Sequence, residues 1–278
     1  MEKIVVGYDG SPAAESALDW VADRAAHEDL RIELVLVANM FLSDEVDADE
    51  TLRRAETRLT GQVPGVPVET VRVDGLMPGT LVEVAEGADL LVVGVDRGHP
   101  VRAALHGWLP QRVSAESSAP TCVVPRGWAA ADGPVSVGLA DDGSSDAAID
   151  FAAAEADAAS RPLHLVHSWY APLPTGPPTS KPASLRRLHA QHVAFASDAA
   201  GRLRARHPDL EVHVELTQAN PSAALVAASG LSSLLVIGTH GRGILTGGLV
   251  GSVALDLIGT VAAPVCVVPT RRPGASEA

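Results

Sequence analysis

The chain has 278 residues, of which 46% are hydrophobic and 20% charged, so it holds enough apolar material for packed cores and is not a disordered protein. At roughly 150 residues per domain, this length predicts two domains. The formal charge of −13 repels phosphate backbones and anionic lipid, which argues against nucleic acid as a partner.

Short apolar runs alternate with longer stretches of helical period, which predicts successive βαβ units and a parallel sheet. In the first half, the strands are predicted near 3–8, 31–39, 68–73, 89–95 and 120–125, and the helices begin near Pro12, Glu50, Pro78 and Trp108. In the second half, the strands are predicted near 134–139, 162–169, 210–217, 233–239 and 263–269, and the helices begin near Ser145, Ser184, Pro221 and Gly251.

The two halves are copies of one another. Segments 90–94 and 121–125 match 234–238 and 265–269 at a constant offset of 144 residues, whereas the beginnings of the halves match at an offset of 131. The second copy therefore carries about 13 extra residues, which we place in the Pro-rich stretch 170–184. We predict two tandem doubly wound, Rossmann-like α/β domains, each with a five-stranded, mostly parallel sheet. They span residues 1–126 and 134–270, and a tail follows at 271–278.

The most informative segment is 238–252, which follows the fourth strand of the second copy and has six glycines among fifteen residues. Glycines at the carboxyl end of a strand let backbone N–H groups approach an anion. A helix then begins at Gly251 and Ser252, so its free N–H groups and the Ser252 hydroxyl can face the same phosphates. A Walker-type lysine loop is absent from the sequence. The alternative is a tight loop with a purely structural role. Considered without their spacing, the glycines fit this alternative equally well.

The spacing of this segment is Gly238, two residues, Gly241, nine residues, then Gly251-Ser252, and it resembles the ATP-binding signature of the universal stress protein family. The string GYDGSP at 7–12 resembles that family's first strand-to-helix loop, and PVCVVP at 264–269 resembles its closing strand. The resemblance covers both halves, so the chain looks like a tandem universal stress protein.

The resemblance implies ATP as the ligand, with adenine between the ends of the first and second strands and the triphosphate on Gly241, Gly251 and Ser252. The residues implicated in the second copy are Gly238, Thr239, His240, Gly241, Arg242, Gly251, Ser252 and Val253. The resemblance also implies that the final strands of the two domains pair edge to edge, as a pseudo-dimer within one chain.

An acidic residue of the first loop completes the implied site. In the first copy it is Asp9. A gapless alignment places Ala140 opposite Asp9, so Asp141 or Asp142 must replace it in the second copy, and the string Asp142-Gly143-Ser144 favours Asp142. A carboxylate there could accept from adenosine or assist a Mg²⁺ held mainly by phosphate oxygens.

The first copy departs from the signature. Arg97 stands where the second copy has Gly241, and Trp108 stands where it has Ser252, which leaves Gly94 and Gly107. Because Trp108 offers no hydroxyl and fills space meant for phosphate, we predict a degenerate first site. The alternative is that Arg97 supplies a charge to an anion and Asp9 still holds an adenosine.

Other residues fit structural roles. His189 and His192 lie three apart in a predicted helix without a partner at metal spacing, which indicates a solvated helix face and no metal site.

Cys122 and Cys266 lie in the closing strands, where a thiol packs as a small apolar group, and we expect no disulfide. Two cysteines agree with a reducing compartment, and no apolar stretch reaches the roughly 18 to 20 residues of a membrane span, so we expect a cytoplasmic protein without membrane contact.

Three functions compete at this point. The first is a nucleotide-dependent regulatory protein of the stress response with one competent ATP site. The second is an ATP-cleaving or adenylating enzyme on the same fold, although no base positioned for water is evident. The third is a nucleotide-free scaffold that acts through protein contacts. The protein partner and the association of two chains into a homodimer stay open.

Overall fold

The computed structural model describes residues 1–38, 48–96, 109–170, 181–239 and 251–270. The strands in these ranges are β1 (Glu2–Gly7), β2 (Leu30–Ala38), β3 (Val68–Asp74), β4 (Leu90–Val95), β5 (Thr121–Pro125), β6 (Val135–Gly138), β7 (Leu163–Ser168), β8 (Val212–Thr217), β9 (Leu234–Gly238) and β10 (Val265–Val268). The helices are α1 (Pro12–Ala25), α2 (Ala48–Gln62), α3 (Gly79–Val84), α4 (Leu109–Glu116), α5 (Asp146–Ala158), α6 (Lys181–Arg206), α7 (Pro221–Ser229) and α8 (Ser252–Thr260). The predicted alternation of strands and helices is confirmed.

Local sequence signals start two of the helices. Before α1, the Ser11 hydroxyl accepts from the Ala14 N–H at 3.1 Å, and Pro12 occupies the first turn. Before α7, the Asn220 side chain accepts from the Ser222 N–H at 2.9 Å, and Pro221 follows it. These side chains satisfy N–H groups that a helix leaves unpaired, and proline fits where its missing N–H is not needed.

All ten strands form one continuous sheet in the order β3-β2-β1-β4-β5-β10-β9-β6-β7-β8. Within each half the described pairs are parallel, whereas β5 and β10 are antiparallel. Helices α1, α2, α5 and α6 pack on one face of the sheet and α3, α4, α7 and α8 on the other. The predicted pair of doubly wound halves is confirmed. The strand order reverses between β1 and β4 and between β6 and β9, the points where such sheets hold ligands.

The pairing of β5 with β10 joins the halves, as the resemblance implied. Cys122 lies directly opposite Cys266 in this pair, and both thiols are free and fully buried. Burial raises the pKa of each thiol, so both behave as apolar side chains. The pairing covers the strand edge that each half would otherwise expose.

A second contact between the halves lies on the α1 and α5 face. The Arg24 guanidinium donates to the Glu155 carboxylate, and both side chains are 9% exposed. Arg24 also binds Glu2 at 2.9 Å and Glu28 at 3.1 Å. Positions 24 and 155 are equivalent under the 131-residue offset, so one site of the repeat became positive in one copy and negative in the other.

The second half differs from the first mainly in its second helix. Helix α6 has 26 residues and α2 has 15, so much of the insertion lengthens a helix. Of the Pro-rich stretch predicted as irregular, residues 181–184 are helical and 171–180 lie outside the described residues. In the described part of the chain, no helix is long and apolar enough to cross a bilayer.

Candidate functional site

The loop after β1 holds Asp9 in a tight turn. Its carboxylate accepts from the Ser11 N–H at 2.9 Å, and Gly10 between them has a φ of +73°. This side-chain turn is typical of Asp followed by a residue that tolerates a left-handed backbone. It leaves Asp9 exposed at the carboxyl edge of the sheet.

The loop after β6 repeats that turn with Asp142. The Asp142 carboxylate accepts from the Ser144 N–H at 3.0 Å, and Gly143 has a φ of +77°. Under the repeat offset, helix α5 begins three positions later than α1, and the turn lies two positions later, at Asp142 instead of Ala140. Asp142, and not Asp141, is therefore the structural counterpart of Asp9.

Gly238 ends β9 against this loop. A Cβ on Gly238 would lie 2.3 Å from the Ser144 carbonyl oxygen, a distance that real Cβ atoms do not reach. In the first half, Gly94 stands in the same relation to Ala13, at 2.1 Å. Each glycine brings the end of the fourth strand of its half onto the loop of the first strand. The absence of a side chain at Gly238 is therefore required by packing at the switch point, apart from any ligand.

Thr239 and the start of α8 complete the described part of the second-half site. The Thr239 N–H donates to the Val268 carbonyl at 3.0 Å, and its hydroxyl accepts from the Thr270 N–H at 3.3 Å. Gly251 precedes α8 with extended backbone (ψ 151°), and within the described ranges no side chain caps this helix N-terminus. A Cβ on Gly251 would meet no described residue within 4 Å.

The first turn of α8 is anchored through its apolar side. Ser252 is exposed, whereas Val253 packs against the core that contains Ile237 of β9. The Ser222 hydroxyl donates to the Asp256 carboxylate at 2.7 Å and so ties α7 to α8. This packing holds a helix N-terminus open to solvent on a fixed support.

Several predicted residues lie outside the described residues. They are His240, Gly241 and Arg242 of the second half, and Arg97, Gly107 and Trp108 of the first. The prediction of a degenerate first site therefore stays a prediction. Among the described residues, no group of three or more His, Cys, Asp or Glu side chains is placed to hold a metal ion.

Sequence reasoning missed an aromatic cluster beside the second loop. His167 at the end of β7 is 2% exposed and hydrogen-bonds both the Leu139 carbonyl at 2.8 Å and His192 at 2.9 Å. The prediction that His192 belongs to a solvated helix face is wrong, because its ring also stacks on the buried Trp169 at 5.3 Å between centroids. His189 is exposed as predicted, although its ring lies 5.6 Å from that of Trp169. The apolar string around His167 gave no signal of this packing.

The fold and these loops define a tandem, doubly wound α/β protein with a switch point in the strand order of each half. The family model described as the universal stress protein family matches residues 1–125 and again 134–269. The chain therefore belongs to the universal stress protein family.

Several known proteins are similar to this chain in sequence or in fold. A universal stress protein of Mycolicibacterium smegmatis is 27% identical over 96% of this chain and 97% of its own length. The crystal structure of a universal stress protein from Archaeoglobus fulgidus covers 99% of this chain and 97% of its own with a TM-score of 0.69 at 18% identity. A shorter universal stress protein, solved in complex with cAMP, is 27% identical and covers 45% of this chain and 97% of its own with a TM-score of 0.39.

Proposed function

We propose that this chain is an ATP-binding universal stress protein that acts as a nucleotide-dependent regulatory module of the stress response, with one competent site in residues 134–270. One observation carries the proposal. The turn at Asp142 and the uncapped N-terminus of α8 occur together in the half that has the complete glycine spacing. Family membership supports the same ligand class.

The start of α8 fits a phosphate group. A helix N-terminus presents unpaired N–H groups and the positive end of the helix dipole to an anion. Gly251 adds no side chain at this point, and no described residue lies within 4 Å of where its Cβ would be. Because no described residue packs where a Cβ would lie, packing among the described residues does not explain the glycine at 251, and a bound phosphate would. In the proposal, Ser252 adds its hydroxyl to the same phosphates.

The turn at Asp142 fits the nucleoside side of the ligand. Its carboxylate is exposed at the carboxyl edge and held by the Ser144 N–H. In the proposal it accepts from adenosine or assists a Mg²⁺ whose other ligands are phosphate oxygens and water. His240, Gly241 and Arg242 belong to the same proposal on the strength of the glycine spacing.

The two halves are proposed to differ in function. Asp9 makes the same turn as Asp142, so the first half keeps the nucleoside-side geometry. Its glycine spacing is broken at Arg97 and Trp108, so we expect no triphosphate there. A cytoplasmic location is part of the proposal, supported by two free thiols.

Calorimetric titration with ATP tests the site. The wild type is expected to bind one ATP per chain, and Gly251→Trp to abolish binding because the indole fills the space in front of the helix N-terminus. Gly259→Trp is the matched control, since Gly259 lies at the far end of α8 with nothing within 4 Å of its Cβ position. Circular dichroism should show that both variants fold.

Other outcomes point elsewhere. Binding of two ATP per chain, or binding that survives Gly251→Trp, would refute the assigned site. A wild type that binds no ATP, AMP or cAMP at millimolar concentration would favour the scaffold function. Stoichiometric release of ADP or pyrophosphate during the titration would favour the enzyme.

A further inference from the structure

The second half carries three ring side chains where the first half has aliphatic ones. The strand registers make Gly7 equivalent to Gly138 and Val35 to Val166, so Leu36 and Ala38 correspond to His167 and Trp169. The buried positions of α2 and α6 repeat with an offset of 144; they are Leu52, Ala55 and Leu59, and Ala196, Ala199 and Leu203. Ala48 therefore corresponds to His192. Ordinary packing needs none of these three rings, because the first half folds without them.

When the His167 and His192 imidazoles are both neutral, their hydrogen bonds allow one tautomer for each ring. The Leu139 carbonyl can only accept, so His167 donates to it from Nδ1 at 2.8 Å. The His167 Nε2 then carries a lone pair and accepts from Nδ1 of His192 at 2.9 Å. The His192 Nε2 is therefore left as an acceptor, and it has no hydrogen-bond partner among the described residues.

The same contacts fix where that acceptor faces. Nδ1 of His192 points inward to the buried His167, and the two nitrogens of an imidazole point in widely divergent directions, so Nε2 points away from the core. The ring plane is held by stacking on Trp169 at 5.3 Å with 23° between the planes. His192 itself is partly exposed, and Asp141 of the loop after β6 is close enough to act on it electrostatically. A preorganised acceptor thus stands beside the carboxyl ends of β6 and β7.

We propose that Nε2 of His192, held by His167 and Trp169, accepts a hydrogen bond from the 6-amino group of the bound adenine base and makes the second half selective for 6-aminopurines. The inference rests on the proposed function and on the adenine position that the family resemblance implies, between the ends of the first and second strands of this half, β6 and β7. Hydrogen-bonded recognition selects by leaving a buried polar group unpaired when the wrong ligand binds.

The selectivity for the 6-amino group should depend on pH, because protonation of His192 removes the acceptor. The charged and titratable groups that act on His192 are His167 on β7, His189 on α6 and Asp141 on the loop after β6. Desolvation, and then His167 and His189, lower the pKa of His192, and Asp141 opposes them. The neutral acceptor therefore predominates near neutral pH. Below the lowered pKa, Nε2 becomes a donor and the selectivity for the amino group is lost as the pH falls.

The test compares ATP with purine riboside triphosphate, which lacks only the 6-amino group. The wild type is expected to bind ATP about 2- to 10-fold more tightly near pH 7.5, the range that one net hydrogen bond supplies. His192→Phe keeps a ring against Trp169 and removes the acceptor, so its two affinities should be equal. His189→Phe changes an exposed ring outside the hydrogen-bonded pair and should keep the wild-type ratio.

The pH series gives an independent readout. In the wild type, the ATP preference should disappear from about pH 7.5 to about pH 5, and in His192→Phe the ratio should stay at one throughout. A His192→Phe variant that folds, binds ATP and keeps the wild-type preference would overturn the role of His192. A wild type that binds neither nucleotide would instead refute the proposed function. If His192→Phe fails to fold, His192→Gln replaces it in the test. Its amide oxygen can accept, so part of the ATP preference should remain. The amide does not titrate, so the pH dependence of that preference should be lost.

Discussion

Replacing Arg24 by methionine removes the positive charge that faces the Glu155 carboxylate across the junction of the two halves. The Glu155 side chain is 9% exposed, and Arg24 is the cation that binds it among the described residues. Removing one member of a buried ion pair typically costs about 3–5 kcal/mol, because the other charge stays buried and uncompensated. We expect a loss of free energy of unfolding in that range for Arg24→Met.

The opposite substitution should cost much less. Glu155→Gln leaves Arg24 bound to Glu2 at 2.9 Å and Glu28 at 3.1 Å, and the amide oxygen of the new side chain can still accept. We therefore expect a loss of about 1 kcal/mol, the net worth of a typical hydrogen bond. Comparing the two variants therefore tests whether Glu155 depends on Arg24 more than Arg24 depends on Glu155.

The pH dependence follows from the Glu155 carboxyl. Burial raises its pKa, and Arg24 opposes that shift. Without Arg24 the folded-state pKa rises further above the unfolded value of about 4.3. A raised folded pKa means that the folded form takes up the proton first, so acidification stabilises it, and the gain is complete below the unfolded pKa. The deficit of Arg24→Met relative to wild type should shrink from pH 8 towards pH 5.

Urea denaturation of the full chain, followed by circular dichroism at both pH values, measures these differences. Arg53→Met is the control, because Arg53 lies on the exposed face of α2 with its side chain 63% exposed, and its midpoint should match wild type. Equal losses for Arg24→Met and Glu155→Gln, or a deficit of Arg24→Met that is the same at both pH values, would refute the assignment of Arg24 as the counter-charge of Glu155.

Two further predictions follow from burial and close approach. Gly238→Ala should destabilise the protein by about 1–3 kcal/mol in urea denaturation, because its Cβ would meet the Ser144 carbonyl oxygen at 2.3 Å. Gly201→Ala on α6, where nothing lies within 4 Å of the new Cβ, should stabilise the protein by about 0.5–1 kcal/mol. A loss of stability in Gly201→Ala as large as that in Gly238→Ala would contradict the steric reasoning. Cys122 and Cys266 should react with a thiol reagent only after unfolding, since both are fully buried with raised pKa; rapid labelling of the native protein would show that the β5–β10 junction opens.

Hydrophobic periodicity and the internal repeat determined most of the fold. They predict each strand and helix start to within about three residues, because a parallel sheet covered on both faces needs continuous apolar strands, and these stand out between helical stretches. The glycine spacing and the Asp-Gly-Ser strings likewise point to the two loops at the switch points. Such features are local, and the sequence displays them directly.

Only the tertiary structure decided which side chains meet. Arg24 and Glu155 are 131 positions apart, and their contact depends on how β5 and β10 bring α1 beside α5. In the sequence, His192 is one polar residue of an amphipathic helix, and its partner His167 lies in an apolar strand. Their hydrogen bond exists because the middle of α6 packs against the end of β7, a contact between distant segments that no local pattern encodes.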